Sequence, residues 1–242
     1  MLENIGSEVE LTTLQLSNAK LIGKINESIL LVLCRDERNS SENEETRKNA
    51  LIVAIDQHAA HERVLLEKSL SAFERLSSKP TDFCGRRFFS SVPVNLEVPT
   101  ILGKLMNGLS PDVREKLFKI LKSLGFKFCI GTYKQNVITI SRLPNVLFLN
   151  GNLISGSETA VMQLLKDVTL MPKLEKKLIY SSFKEMCYPY MQLRACRSAI
   201  QFGDILNKQE VLELLRSLSH CRLPFKCAHG RPTCVPIAEL SI

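Results

Sequence analysis

Two short segments, far apart in the 242-residue sequence, contain most of the side chains that can bind a metal ion. The first is DQHAAHE at 56–62 and the second is CAHG at 227–230, and together they hold three of the four histidines. His58 and Glu62 are four residues apart, so on a helix they point to the same side. One imidazole and one carboxylate directed at one point are typical of half of a metal site. His61 projects at a different angle and is a weaker candidate.

The second segment adds a thiol and an imidazole in a loop restrained by Gly230 and Pro232. A thiolate and an imidazole at the spacing of Cys227 and His229 can chelate a borderline-soft ion such as zinc. Cys196 can supply a further thiolate. The whole set is sufficient for one or two divalent ions, and two ions about 3.5–4 Å apart are the usual device for phosphodiester cleavage.

Asp56 stands next to this set, at the end of an apolar run. Three chemical roles are open to it: orienting a ligand, binding the second ion, or acting as a base. The plainer interpretation is a helix cap. Plainer interpretations also exist for the other residues, since a His-x-x-x-Glu pair is most often solvated and Cys196 lies between apolar residues, where an ordinary buried thiol is common. Glu67 either pairs with Arg63 four residues before it or is a solvated charge.

The net charge is +7 and the sequence pI is about 9.0, which favours a polyanionic partner or simply a basic domain. The absence of Trp and an aromatic fraction of 6% argue against single-strand binding through stacked rings. Candidates for phosphate contacts are Arg86, Arg87, Arg197 and Arg231, although surface solubility explains them nearly as well.

The eight cysteines allow a disulfide framework, but the chain is long, and it has no secretory signal and no apolar run of membrane-spanning length. A reducing compartment with free or metal-bound thiols is the better interpretation. A redox-switched thiol protein is an alternative hypothesis that depends only on this cysteine count.

The elements around these residues follow from local patterns. Residues 20–34 read as a β-hairpin with a polar turn at Asn26-Glu27, and 35–49 as a charged loop. The β-branched run 50–56 predicts a strand buried in the middle of a sheet, and 57–77 shows helical spacing. Asp56 therefore ends a strand and opens a helix.

Farther along, 78–100 is irregular with one strand, and helices open near Pro99 and Pro111. The remaining predictions are strands at GFKFCI and NVITISRLPNVLFL, helices at 158–167, 174–182, 190–202 and 207–220, and a short final strand. We interpret the chain as a mixed α/β fold. One lobe comes from 1–98 and 191–242, and 99–190 form an inserted lobe.

Three motifs in this order resemble the MutL family. DQHAAHERVLLE at 56–67 matches the family's endonuclease signature, ACR at 195–197 with SAIQFGD resembles its second motif, and CAHGRP at 227–232 resembles its third, commonly C-P-H-G-R-P. The resemblance covers about 20–237 and is weakest in 80–190.

This resemblance implies a dimerisation lobe built from both chain ends, an inserted external lobe, and nicking of double-stranded DNA that manganese or magnesium supports. It implies that Asp56 and Glu62 are catalytic, and that one zinc-type ion, or two, occupies the site. The implied metal ligands are His58, Glu62, Cys196, Cys227 and His229, and the implied supporting residues are Gln57, Glu67, Arg197 and Arg231.

The resemblance also implies a nuclear protein, a heterodimer with an Mlh-one-type subunit, an ATPase domain elsewhere in a longer protein, and no membrane. Ala228 replaces the usual Pro, which points to the MutL-gamma subunit over the Pms-type subunit, and the latter stays open. No Gln-x-x-Leu/Ile-x-Pro clamp-binding motif is present. A dimerisation module with a purely structural zinc is the competing hypothesis, because such a site closes four ligands and does not need Asp56.

Overall fold

The computed structural model describes residues 11–35, 49–78, 90–130 and 137–241. The predictions for the charged loop at 36–48, for Arg86 and Arg87, and for the first part of the irregular stretch lie outside these residues. The strands are β1 (Lys20–Ile25), β2 (Ile29–Arg35), β3 (Asn49–Asp56), β4 (Ser91–Glu97), β5 (Lys127–Ile130), β6 (Ile138–Pro144), β7 (Phe148–Leu149), β8 (Asn152–Leu153) and β9 (Cys234–Ser241). The α-helices are α1 (Thr13–Ser17), α2 (Gln57–Ser78), α3 (Thr100–Asn107), α4 (Pro111–Ser123), α5 (Ser157–Thr169), α6 (Lys176–Ser198) and α7 (Lys208–Ser219).

The chain forms two compact units, one made of Met1–Lys68 with Gln192–Ile242 and one of Ser69–Met191. The mixed α/β class predicted from the sequence is confirmed. The sequence predicts a dimerisation lobe from 1–98 and 191–242 and an inserted lobe from 99–190. These boundaries, and the roles of the two lobes, stay predictions. All of the predicted metal-binding residues lie in the first unit.

The first unit is built on an antiparallel sheet with the strand order β1-β2-β3-β9. The predicted hairpin is confirmed, because β1 and β2 pair through a turn in which Asn26 and Glu27 have positive φ angles of 49° and 55°. Strand β3 is central, as predicted. Its burial alternates, however, with Val53 and Ile55 fully buried and Ile52 only half-buried. The alternation arises because the described helices of the first unit pack against one face of this sheet.

The covered face packs against three helices. The core contains side chains from the sheet, from α1, from the start of α2 and from α7: Leu16, Leu30, Val32, Val53, Ile55, Ala60, Val64, Val211, Leu214, Leu215 and Leu218. Helix α7 is the predicted amphipathic helix, and it begins at a capping box in which Asn207 and Glu210 satisfy each other's backbone N–H groups. This packing fixes β3 and the start of α2, from which the site is built.

Helix α6 corrects one prediction. The sequence predicts two helices, 174–182 and 190–202, but the structure has one helix, Lys176–Ser198, with Pro189 inside it. Phe183, Cys187 and Met191 recur at intervals of four and are all fully buried. The free energy gained by burying this continuous apolar stripe is larger than the cost of the one backbone hydrogen bond that a proline removes. The helix therefore continues as far as Ser198, just beyond the ACR motif.

The second unit contains a three-stranded sheet in the order β4-β6-β5, with helices α3, α4 and α5. Its most enclosed aromatic residues are Phe126 and Phe183, whose rings meet edge to face with centroids 5.8 Å apart. None of the helices described is both long and apolar enough to cross a bilayer.

Candidate metal centre

Asp56 lies at the junction between β3 and α2. Its backbone N–H donates to the Thr233 carbonyl at 3.0 Å, which continues the pairing with the last strand. Its Oδ1 accepts a hydrogen bond from the Ala59 N–H at 3.0 Å, so the carboxylate caps the helix. The predicted strand-to-helix corner is confirmed. Asp56 itself belongs to neither of the two donor groups described next.

Five predicted metal ligands come together around Glu62. One group consists of His58, Glu62 and Cys196, the other of Glu62, Cys227 and His229, and within each group the ligand atoms lie within 4.8 Å of one another. Glu62 Oε1 is 2.5 Å from His229 Nδ1, and Glu62 Oε2 is 3.7 Å from His58 Nε2. The two oxygens of one carboxylate thus face different histidines, one from each donor group.

The chemistry of this donor set fits a cation. Glu62 is 3% exposed and Cys227 is 1% exposed, so a carboxylate and a thiol are buried side by side. A buried carboxylate needs compensation by a positive charge or by strong hydrogen bonds. Burial raises the pKa of Cys196, and nearby Glu62 raises it further, while Arg197 and Arg231 oppose this. A bound divalent ion reverses that tendency, because it favours the thiolate.

His58 is oriented by the backbone at the end of α6. Its Nδ1 is 2.7 Å from the Ile200 carbonyl oxygen. The tautomer that donates from Nδ1 leaves Nε2 free to bind a metal, which is how histidine ligands are commonly held. The Ile200 N–H donates to His61 Nδ1 at 3.1 Å. Burial, and then the charges of Lys68 and His58, lower the pKa of His61, so this ring is kept neutral as an acceptor. His61 lies outside both donor groups.

The Cys227 loop is a tight turn closed by its own backbone. The Cys227 N–H donates to the Arg231 carbonyl at 2.7 Å, and the Gly230 N–H donates to the Cys227 carbonyl at 3.1 Å. Gly230 has a φ of +84°, a conformation that other residues rarely adopt. The His229 N–H lies 3.3 Å from Cys227 Sγ, so the turn also orients the sulfur.

Arg63 holds this loop, whereas its position in the sequence predicts only an ion pair with Glu67. The guanidinium is buried, and it donates from Nε to the Lys226 carbonyl and from Nη2 to the Cys227 carbonyl at 2.6 Å. Its Nη1 is 3.7 Å from Glu67 Oε1, which is the expected ion pair. The spacing of the two residues predicted the pair, but no local signal indicated the distant loop.

Glu67 is not the solvated charge considered as an alternative. Its side chain is 14% exposed and accepts hydrogen bonds from the backbone N–H groups of Arg222 at 2.7 Å and Leu223 at 3.0 Å. Together with Arg63, it ties the segment before Cys227 to α2. Its position therefore fits a supporting role for the loop that bears two of the donors.

The other predicted supporting residues surround the donors. Gln57 is 1% exposed, and its Nε2 donates to the Asp204 carbonyl at 3.0 Å. Arg197 and Arg231 are exposed, and both are close enough to Cys196 to lower its pKa. These two guanidiniums leave a positive rim beside the candidate centre.

Replacing Gly230 with alanine tests the geometry of the donor loop. A Cβ meets no atom within 4 Å there, but the φ of +84° strains any other residue by about 1–2 kcal/mol. We expect Gly230→Ala to lower zinc affinity, measured by competition with a chromogenic chelator, roughly tenfold. Gly23→Ala is the matched control, since Gly23 is equally uncrowded and has no positive φ. Equal zinc affinity in the two variants would contradict the importance of this turn.

The sequence of the chain is similar to those of known proteins. No protein-family model matches the chain. The chain is 25% identical, over 98% of its length, to the DNA mismatch repair protein MutL of Caldanaerobacter subterraneus subsp. tengcongensis. In sequence, the chain is therefore similar to MutL-type DNA mismatch repair proteins.

The chain is also similar to two proteins named MLH3. It is 28% identical to the DNA mismatch repair protein MLH3 of Saccharomyces cerevisiae over 93% of the chain, and 28% identical to Mlh3 of Homo sapiens over 86%. It spans 32% of the yeast protein and 14% of the human one, and it matches their C-terminal part.

Proposed function

We propose that the chain is a metal-dependent endonuclease domain that nicks double-stranded DNA. The observation that supports this most strongly is the position of Glu62, whose two oxygens serve two donor groups. The donors suit zinc, as one ion or two, and manganese or magnesium is the ion expected to support nicking.

Each residue has a place in the proposed reaction. A pair of divalent cations, when bound, polarises the phosphodiester and lowers the pKa of water. Glu62 would hold one of these ions together with Cys227 and His229, and the other together with His58 and Cys196. Asp56 uses Oδ1 as a cap for α2, and we assign its other oxygen to orienting the attacking water or receiving its proton.

The charge of the site favours a phosphate-bearing substrate. Arg197 and Arg231 are exposed beside the donors, and the net charge of the chain is +7. Guanidinium groups bind phosphate oxygens in a bidentate manner. The proposed substrate backbone therefore approaches along the rim that these arginines form.

Plasmid nicking with Asp56→Asn tests the assignment. Asparagine caps helices as well as aspartate does, so this variant keeps the corner folded and removes only the charge. We expect wild type to nick supercoiled plasmid with manganese, and Asp56→Asn to be slower by about a hundredfold or more. Asp112→Asn is the control, since Asp112 lies in the first turn of α4 in the other unit. If Asp56→Asn nicks the plasmid as fast as wild type does, Asp56 is not catalytic. If wild type retains zinc but does not nick, the alternative of a structural zinc is favoured.

We assign the uncovered face of the first unit's sheet to dimerisation with an Mlh-one-type subunit. The face is apolar, with Val235 53% exposed, Ile237 49% exposed and Ile52 half-buried. Leu31 and Leu33 of β2 lie opposite Ala54 and Ile52 of β3, which continues the apolar surface across two more strands. Stable interfaces have apolar cores of this kind.

Val235→Glu tests this surface. A carboxylate in the middle of an apolar interface must be desolvated without a partner, so we expect heterodimer affinity to fall at least about a hundredfold. The measurement is analytical ultracentrifugation of the chain with the Mlh-one-type subunit. Leu212→Glu is the control, because Leu212 is 43% exposed on α7, outside this sheet. If both variants bind the partner as wild type does, the dimer surface lies elsewhere.

The chain spans only part of its relatives, and in this proposal it works inside a longer protein. We assign the ATPase domain to the remainder of that protein, and the whole protein to the nucleus, where its DNA substrate lies. MutL-gamma is the subunit type that the MLH3 relatives favour.

A further inference from the structure

The loop at 200–206, which connects α6 to α7, is fixed in place next to the candidate metal centre. Gln57 Nε2 donates to the Asp204 carbonyl at 3.0 Å, and Lys24 Nζ donates to the Leu206 carbonyl at 2.5 Å. The carboxylate of Asp204 accepts from the Gln201 N–H at 2.8 Å, which closes the loop on itself. A loop held at both ends in this way presents its outward side chains in a defined position.

This loop exposes two large apolar side chains. Phe202 is 76% exposed and Ile205 is 73% exposed, although burying either would be favourable by about 1.5–3 kcal/mol. The Phe202 ring stacks on His58, with ring centroids 6.2 Å apart and an angle of 16° between the planes. One face of an aromatic ring is thus fixed against a metal donor, and the side chain is otherwise largely open to solvent.

We propose that Phe202, supported by Ile205, is an apolar wedge that contacts the bases of duplex DNA next to the nicked phosphodiester. The inference rests on the proposed endonuclease function. Successive bases of one strand are 3.4 Å apart, so a ring 6.2 Å from the His58 ring lies within about two base steps of a phosphate at the metal centre. Proteins that deform duplexes use phenylalanine, leucine and isoleucine to separate neighbouring bases.

The surrounding charge favours DNA over a protein as the occupant of this surface. Arg197 and Arg231 are exposed and lower the pKa of Cys196, which belongs to the same donor group as His58, the residue on which Phe202 stacks. The apolar side chain and the two cationic groups therefore border the same set of donors. This combination suits a duplex, whose phosphates need cations and whose bases need an apolar contact. An apolar protein segment would leave both guanidiniums without a counter-charge.

Base unstacking measured with 2-aminopurine tests the wedge without requiring any cleavage. The chain contains no Trp, so the fluorescence of 2-aminopurine in short duplexes is read against a low background. With the zinc-loaded chain at low ionic strength, we expect wild type to raise this fluorescence several-fold. Phe202→Ala should remove the increase and weaken duplex binding about tenfold, as expected for losing one aromatic contact with a base. Phe202→Leu should retain most of both effects.

The controls separate this inference from the function on which it rests. Ile101→Ala removes an equally exposed side chain in the other unit and should bind and unstack DNA as wild type does. Unstacking that depends on Phe202, in a chain that does not nick plasmid, would support the wedge and contradict the endonuclease. If wild type nicks plasmid without changing the fluorescence, or if Phe202→Ala raises the fluorescence as much as wild type does, the wedge is overturned and the proposed endonuclease function still holds. Weaker binding of the Mlh-one-type subunit by Phe202→Ala, with unchanged DNA binding, would show that a protein covers this surface instead.

Discussion

Glu62→Gln is expected to remove zinc from the chain and to lower plasmid nicking by at least about a hundredfold. Even residues that only support a metal ligand change affinity or activity 10–100-fold when they are replaced. Glu62 is more central, because its two oxygens lie 2.5 Å from His229 Nδ1 and 3.7 Å from His58 Nε2. Glutamine keeps the shape but has one oxygen and no charge, so it cannot bridge two cations. Zinc content by mass spectrometry after dialysis, and nicking of supercoiled plasmid, are the measurements.

The control for this experiment is Glu74→Gln on the same helix. Glu74 lies in the other unit, where its exposed carboxylate is 3.6 Å from Lys184 Nζ, and an exposed pair of this kind contributes little to stability. That variant should keep both zinc and nicking. A Glu62→Gln protein that retains as much zinc as wild type would show that the thiols and histidines suffice, and that the carboxylate is not a bridge.

Sequence patterns predicted the elements that bear the site because these depend on nearby residues. The run at 50–56 is long enough and apolar enough to define β3, and Asp56 caps the helix that follows because its side chain reaches a backbone N–H three residues later. The hairpin turn at Asn26 is another local feature. Helix α6 shows the limit of such reasoning, since the two separate patterns at 174–182 and 190–202 belong to one helix whose buried stripe is continuous.

Local patterns did not predict that metal donors far apart in the sequence lie close together in space. The spacing of His58 and Glu62 placed them on one side of α2, but the approach of Cys227 depends on Thr233, whose backbone joins the last strand to Asp56. Family motifs supplied that link, and the structure shows how the chain makes it. Phe202 was also misplaced, because the apolar pattern of 190–202 predicted that the helix continues to it, whereas the helix ends at Ser198 and Phe202 is exposed in the loop that follows.

Arg63→Met is expected to destabilise the first unit by about 3 kcal/mol, because removing one partner of a buried charge network leaves the other without compensation. Arg63 is 5% exposed, and it donates to the carbonyls of Lys226 and Cys227 while pairing with Glu67. A loss of this size corresponds to a fall in Tm of roughly 6–12 °C for a chain of this length. Zinc affinity should fall as well, since the donor loop loses two of its hydrogen bonds.

The double variant Arg63→Met with Glu67→Gln tests whether Arg63 holds the donor loop through its hydrogen bonds or only neutralises Glu67. If the cost of Arg63→Met comes mainly from leaving the Glu67 carboxylate without a counter-charge, the double variant should recover part of the lost Tm, because a neutral amide needs none. The recovery should be partial, since glutamine has one acceptor oxygen for the two backbone N–H groups, of Arg222 and Leu223, that donate to Glu67. Lys68→Met is the control on the same helix, because Lys68 is exposed and its loss should leave the Tm within about 1 °C. Zinc affinity should stay low in the double variant, since the hydrogen bonds from Arg63 to the loop are still missing. Recovery of zinc affinity together with Tm would show that Arg63 only neutralises Glu67, and that Cys227 reaches the metal centre without help from α2.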